Sequence, residues 1–221
     1  YISDAVNIGE DGIVNNVLIK LCNVNSVIVR NPEIVGTFVN QNFIRGGCDF
    51  GNSNVTFTNN IASDIHNISS GQIFNNILTY SSWIQGWTHT NFNTIGNVNN
   101  AVINNNIIRG GACLHSGNNC QVSGNLVIFG TWGDNPITIS DVDENDIFKN
   151  LNGWAVNPMS DFHFKETYSQ YENQVGIYAG TGFSDSQLPP TPYIVGKVIP
   201  DNTDAAGKLN IKVRVKASSN E

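Results

Sequence analysis

Ile103-Asn104-Asn105-Asn106-Ile107-Ile108 decides the fold, because its grammar recurs. An apolar residue, any two residues, an asparagine and a second apolar residue occur together seven times. The asparagines are Asn16, Asn42, Asn60, Asn76, Asn106, Asn125 and Asn150, flanked by Ile13 and Val17, Val39 and Phe43, Phe57 and Ile61, Ile73 and Ile77, Ile103 and Ile107, Val122 and Leu126, Ile147 and Leu151. They are spaced by 26, 18, 16, 30, 19 and 25 residues, a mean near 22. A period of this size marks a solenoid, in which each unit buries its apolar face only against its neighbours.

The residues inside the repeat are mostly Ile, Val and Phe, which suit a pleated, buried strand. No stretch sustains the helical spacing of apolar residues. A leucine-rich repeat needs a leucine framework, and a hexapeptide β-helix needs a strict short period; neither is present. A right-handed parallel β-helix tolerates unequal coils, because extra residues leave as loops while strands stack about 4.8 Å apart. The interval of 16 is tight for one coil and puts one of its two anchors in question. An asparagine suits the strand end, since it tolerates left-handed backbone. Stacked amides can hydrogen-bond from coil to coil as a ladder. The expected architecture is therefore all-β: a right-handed parallel β-helix with an Asn ladder.

Of 221 residues, 35 are Asn and only 13% are charged, while 40% are hydrophobic, enough to bury a core. Net charge is −7, which argues against nucleic acid and against an anionic membrane surface. No run of 18 apolar residues exists, so no membrane span is expected. The chain opens at Tyr1 without Met, signal peptide or recognisable cap. The expectation is a processed chain, or a piece of a longer one, whose N-terminal cap is missing.

Cys22, Cys48, Cys113 and Cys120 form no C-x-x-C pair, which disfavours a thiol-rich zinc site. Cys113 and Cys120 flank a turn-like run and leave two readings open, a small disulfide loop or a buried free thiol at Cys120. Arg45-Gly46-Gly47 and Arg109-Gly110-Gly111 leave their units at the same place. They read either as basic groups facing an acidic sugar or as glycine turns beside solvated arginines.

Two stretches are candidate sites. Ser82-Trp83-Ile84-Gln85-Gly86-Trp87-Thr88-His89 lies in the longest interval between anchors. Tryptophans on an extended loop can stack on sugar rings, or fold back as a lid. The ligand-binding candidates are Trp83, Gln85, Trp87 and His89. The second stretch is Asp141-Val142-Asp143-Glu144-Asn145-Asp146. It lacks the glycine and final acid of an EF-hand loop. It leaves Asp141, Asp143 and Asp146 as a different calcium site or a solvated acidic loop.

After Trp154 the anchor pattern stops. Asn157-Pro158-Met159-Ser160-Asp161-Phe162-His163-Phe164-Lys165 and Val175-Gly176-Ile177-Tyr178-Ala179-Gly180 resemble the closing portion of secreted bacterial right-handed parallel β-helix proteins of the broad pectate-lyase-like superfamily. Phe164 stands where leucine is usual, and Ala179 precedes Gly180. The resemblance covers about residues 10–180 and implies the fold and an exported lifestyle. It does not imply one activity, since the superfamily hosts lyases, hydrolases, epimerases, adhesins and spacers. Beyond Pro189-Pro190-Thr191-Pro192, strict apolar/polar alternation from Leu209 to Lys216 marks a half-buried strand. With Tyr193 to Ile199 it forms a C-terminal β-hairpin cap rich in Lys and Arg. The organisation is coils over residues 1–157, then a closing coil and hairpin over residues 158–221.

Lyases on this fold usually pair acidic calcium ligands with a Lys or Arg base, and hydrolases need grouped carboxylates. Asn-Thr-Asp and Gly-His-Gly signatures are absent, and the four histidines lack metal-ligand spacing. No outward Thr repeats as an ice-binding face would need. The sequence therefore leans away from catalysis. It points to a secreted or cell-surface β-solenoid, structural or binding, whose partner is a polysaccharide or a cell-surface protein. Its alternatives are a carbohydrate-active enzyme, or a subunit of an extracellular assembly docked through the hairpin.

Overall fold

The computed structural model describes residues 5–79, 94–109, 119–128, 137–139, 144–151, 160–180, 193–198 and 212–216. The chain divides into two compact units, Tyr1–Gly182 and Phe183–Glu221.

The first unit is a parallel β-solenoid of about five turns. Each full turn crosses three faces. The first face stacks Ala5–Ile8, Ser26–Val29, residues 48–50, residues 65–68 and Ile95–Val98. The second stacks Leu18–Lys20, Thr37–Asn40, residues 55–58, residues 71–74, Ala101–Asn104 and Gln121–Ser123. Because Cys48–Thr58 and Ile65–Phe74 run unbroken round the intervening corner, these two faces are one nine-stranded sheet. The third face is a seven-stranded sheet: Asn23–Val24, Phe43–Ile44, Ile61–Ala62, Ile77–Leu78, Ile107–Arg109, Leu126–Ile128 and Ile137–Ile139. Parallel register puts like on like, so Ile19, Val39, Phe57, Ile73 and Ile103 form one buried column. Each such column removes apolar surface from water at about 25 cal/mol per Å².

The corner between the second and third faces holds the ladder. Asn42, Asn60, Asn76, Asn106 and Asn125 are each wholly buried. The backbone N–H of Asn42 donates to Asn60 Oδ1 at 3.0 Å, that of Asn60 to Asn76 Oδ1 at 2.8 Å, that of Asn76 to Asn106 Oδ1 at 3.0 Å and that of Asn106 to Asn125 Oδ1 at 2.9 Å. Each Nδ2 of those four donates to the same oxygen, at 2.8 to 3.2 Å. It also reaches back to the preceding coil, as from Asn106 to the Ile73 carbonyl at 2.9 Å. The residue ahead of each rung has positive φ: Gln41, Asn59, Asn75, Asn105 and Gly124.

Two of the seven anchors are not rungs. Asn16 lies on an exposed turn, its N–H donating to the Val35 carbonyl at 3.0 Å. The first corner is instead Leu21-Cys22, where Leu21 has φ 58° and Cys22 N–H donates to Asn42 Oδ1 at 2.9 Å. Asn150 is exposed in Phe148–Asn150, which pairs antiparallel with Asp161–Phe164 and, among the described residues, with no parallel coil that could receive its amide. The 16-residue interval proves to be one whole coil, since Asn60 and Asn76 are consecutive rungs.

The third face carries a second apolar layer. Ile61, Ile77, Ile107 and Leu126 alternate with the inner column yet are at most 2% exposed. Residues 175–180 help cover them. Gly176 N–H donates to the Asn105 carbonyl at 2.8 Å, and Asn59 Nδ2 donates to the carbonyls of Ile177 and Ala179 at 3.3 Å each. Asn75 Nδ2 reaches the Ala179 carbonyl at 3.3 Å. Gly176 has φ 75°, and a Cβ there would lie 2.5 Å from Ile107 Cδ1, so both backbone and space require glycine. The segments that resemble a closing coil thus take different places: Asp161–Phe164 is half of an antiparallel pair, and residues 175–180 lie along the flank of the stack. Between them runs the 3₁₀ helix Glu166–Tyr171.

Cys22, Cys48 and Cys120 are free thiols, Cys120 half-buried rather than buried, while Cys113 lies outside the described residues. Cys120 Sγ donates to the Val98 carbonyl at 3.4 Å. In the second unit, Tyr193–Val198 pairs antiparallel with Lys212–Lys216, the hairpin expected from alternation.

Asn106→Ala removes the acceptor of Asn76 N–H and Nδ2 and a donor to Asn125, so it is expected to cost about 3 kcal/mol, or roughly 10 °C in Tm. Asn150→Ala is expected to cost about 0.5 kcal/mol or less. Urea unfolding of both variants checks this, and equal losses would refute the assignment of rungs.

Candidate functional site

Trp83, Gln85, Trp87 and His89 lie outside the described residues, as do Asp141 and Asp143. The residues on either side of the Trp-bearing stretch are described. The chain leaves the third face at Thr79 and enters the first face at Thr94. Arg109 Nη1 donates to the Thr79 carbonyl at 3.4 Å, and Thr94 Oγ1 donates to the Arg109 carbonyl at 3.2 Å. Arg109 therefore joins Thr79 to Thr94. Its counterpart Arg45 donates from Nε to Asn23 Oδ1 at 3.2 Å. Asp146 is exposed on the short helix Glu144–Ile147, and among the described residues no three His, Cys, Asp or Glu side chains gather where they could hold a metal.

Beside Thr94 the register assembles a group that sequence reading missed. Ile65 N–H donates to the Thr94 carbonyl at 2.9 Å, and the next row outward aligns Asp49, His66 and Gly96 on three successive coils. His66 Nε2 lies 3.0 Å from Asp64 Oδ1, while Ser63 Oγ donates to Asp64 Oδ2 at 2.8 Å. Gly96 leaves room for the imidazole and Gly47 for the carboxylate, since a Cβ on either would collide with them. Asp49 accepts from Gly51 N–H at 3.0 Å and from Asn67 Nδ2 at 2.9 Å. Beneath, the Cys48 thiol is pushed far up from its ordinary range, first by burial and then by the charge of Asp64. It is thus a neutral packing group.

A second feature runs along the corner between the first and second faces. Asn97 Nδ2 donates to Asn67 Oδ1 at 2.7 Å, with Asn52 next in the row at 3.5 Å. All three have positive φ, and Asn52 and Asn97 are exposed. Asn54 Nδ2 donates to Ser70 Oγ at 2.7 Å, and Asn119 Nδ2 to Asn100 Oδ1 at 3.5 Å. These amides resemble the buried ladder but face water, and they keep unused donors and acceptors.

The third group couples the antiparallel pair to the flank segment. His163 stacks on Tyr178 with centroids 3.9 Å apart, and its Nδ1 lies 2.6 Å from Asp161 Oδ1. Burial alone would raise the Asp161 carboxyl, but hydrogen bonds from the His163 side chain and backbone outweigh it, aided by the charges of His163 and Lys149. Its titration therefore falls below the ordinary aspartate range. A depressed carboxyl contributes stability that is present above its unfolded value and lost as pH falls through the folded one. Asp161→Asn is accordingly expected to be less stable than wild type near neutrality, with the difference closing below about pH 4. Urea midpoints across an acid series measure it; a difference unchanged into acid would refute the coupling.

Comparison with protein-family models, with curated proteins and with solved structures finds no match for this chain; it is a parallel β-solenoid on the strength of its own strand register and Asn ladder.

Proposed function

We propose that the chain is an exported scaffold module of the pectate-lyase-like kind that binds a neutral polysaccharide. The observation that carries this reading is the amide row of Asn52, Asn67 and Asn97, exposed at Asn52 and Asn97 and held in register by hydrogen bonds and left-handed backbone. Such a row offers paired donors and acceptors at the strand spacing of about 4.8 Å, close to the length of one sugar unit. The amides are uncharged, which suits hydroxyls better than carboxylates, and ordering them costs little on binding. Trp83 and Trp87 would add stacking surface from their loop. Binding to a panel of neutral and uronic-acid polysaccharides tests it. Neutral chains are expected to bind with little dependence on salt, and Asn67→Ala with Asn97→Ala to weaken binding by about tenfold, or 1.4 kcal/mol. Preference for uronates, or undiminished binding by the double variant, would overturn the reading.

A second reading is a carbohydrate-active enzyme, favoured by the Asp64–His66 pair with Asp49 alongside. His66 would serve as the acid–base group. Release of new reducing ends or of unsaturated uronate products, lost in His66→Ala, would decide for it.

A further inference from the structure

The three faces of the solenoid differ in charge. Among the described residues from Thr37 to Ile128, the charged side chains and histidines are Arg45, Asp49, Asp64, His66 and Arg109, all on or beside the first and third faces. The second face has none from its second coil onward, and Lys20 on the first coil is its single charge among the described residues. Its strands keep one parallel register, without a slip, through residues 37–40, 55–58, 71–74, 101–104 and 121–123. One outward column reads Leu18, Phe38, Thr56, Gln72, Val102 and Gln121. Leu18 is 64%, Phe38 44% and Val102 36% exposed, and Gln72 and Gln121 are open as well. The other outward column, from Lys20 to Ser123, adds amides, hydroxyls and the half-buried ring of Phe74. The hydrogen-bonded pair Asn54 and Ser70 borders the face on the side of the first corner.

This is a continuous surface, about 24 Å along the stack and about 13 Å across, set by strand spacing and by the alternation of side chains. Its chemistry selects among partners. A charged polymer would give up hydration here without gaining an opposite charge. The core of a protein interface is apolar and contiguous, whereas Thr56 and Gln72 stand between Phe38 and Val102 in the column. Rings and methyl groups interleaved with amides and hydroxyls match sugars, which present C–H on their faces and O–H at their edges. A single dissolved chain would cover one column at a time and would have to be straightened on it. Chains already packed side by side meet both columns together, and their ordering is complete before they bind.

We propose that the second face binds the surface of an insoluble neutral polysaccharide whose straight, β-1,4-linked chains are packed in sheets. Phe38, Phe74 and Val102 lie against C–H faces, while Thr56, Gln72 and Gln121 exchange hydrogen bonds with hydroxyls. The inference rests on the neutral-polysaccharide part of the reading above and names the physical form of the ligand. It uses a different surface, since Asn52, Asn67 and Asn97 lie at the corner with the first face.

Depletion of the full chain from solution by microcrystalline cellulose and by chitin powder tests it, beside binding to soluble galactomannan. Wild type is expected to sediment with at least one of the solids, to nearly the same extent at low and high salt. Phe38→Ala with Gln72→Glu and Val102→Glu changes only outward side chains. This face variant is expected to bind the solid at least about tenfold more weakly, with its melting curve and galactomannan binding near those of wild type. Asn67→Ala with Asn97→Ala is expected to do the reverse, keeping the solid and weakening on galactomannan. Wild type that stays in solution with both solids, a face variant that sediments as wild type does, or binding to the solid that salt abolishes would each overturn the proposal. Undiminished galactomannan binding by the Asn67 and Asn97 variant would count against the earlier reading alone.

Discussion

The structure depends on a buried amide finding all its partners at once. A side-chain amide taken out of water costs several kcal/mol unless its oxygen and nitrogen are both satisfied. Within one coil that is impossible here, because the oxygen of each rung from Asn60 to Asn125 is met by donors of the coil before. Each rung is therefore stable only when a neighbour stands beside it in one register. Slipping a coil by one residue would strand the donors of the rung before it. The apolar columns favour compact stacking, but the amides select the register.

The same constraint reaches outward from the corner. A rung can turn inward only if the residue before it takes left-handed backbone, and Asn pays less for this than most residues. Asn59, Asn75 and Asn105 meet that demand, and two of their amides and one carbonyl then hold the flank segment. Local backbone geometry, core register and the covering of the third face are thereby linked at a single turn. The His163–Tyr178 stack and the Asp161 pairing tie the same segment to the antiparallel pair.

Legibility in the sequence follows the same physics. Asn42, Asn60, Asn76, Asn106 and Asn125 could be read because a buried amide at a fixed corner admits almost no substitute. Asn16 and Asn150 matched the pattern by chance of composition, in a chain where asparagine is common. Cys22 could not be recognised as the first corner, because the end of a ladder needs only a backbone N–H to offer Asn42. The Asp49, His66 and Gly96 row was hidden for a different reason. These residues follow their rungs by 7, 6 and 20 positions, so only the strand register brings them into line.

Coil length has a consequence of its own. The interval from Asn60 to Asn76 closes a turn in 16 residues, and that from Asn76 to Asn106 closes the same turn in 30. The ladder counts turns and is blind to the chain spent between them. Duplication or loss of a whole turn can rejoin the amides on either side without a new fit, whereas a fractional change cannot. A chain of this design can therefore lengthen or shorten only in quantised steps of one turn, whatever the number of residues each turn spends.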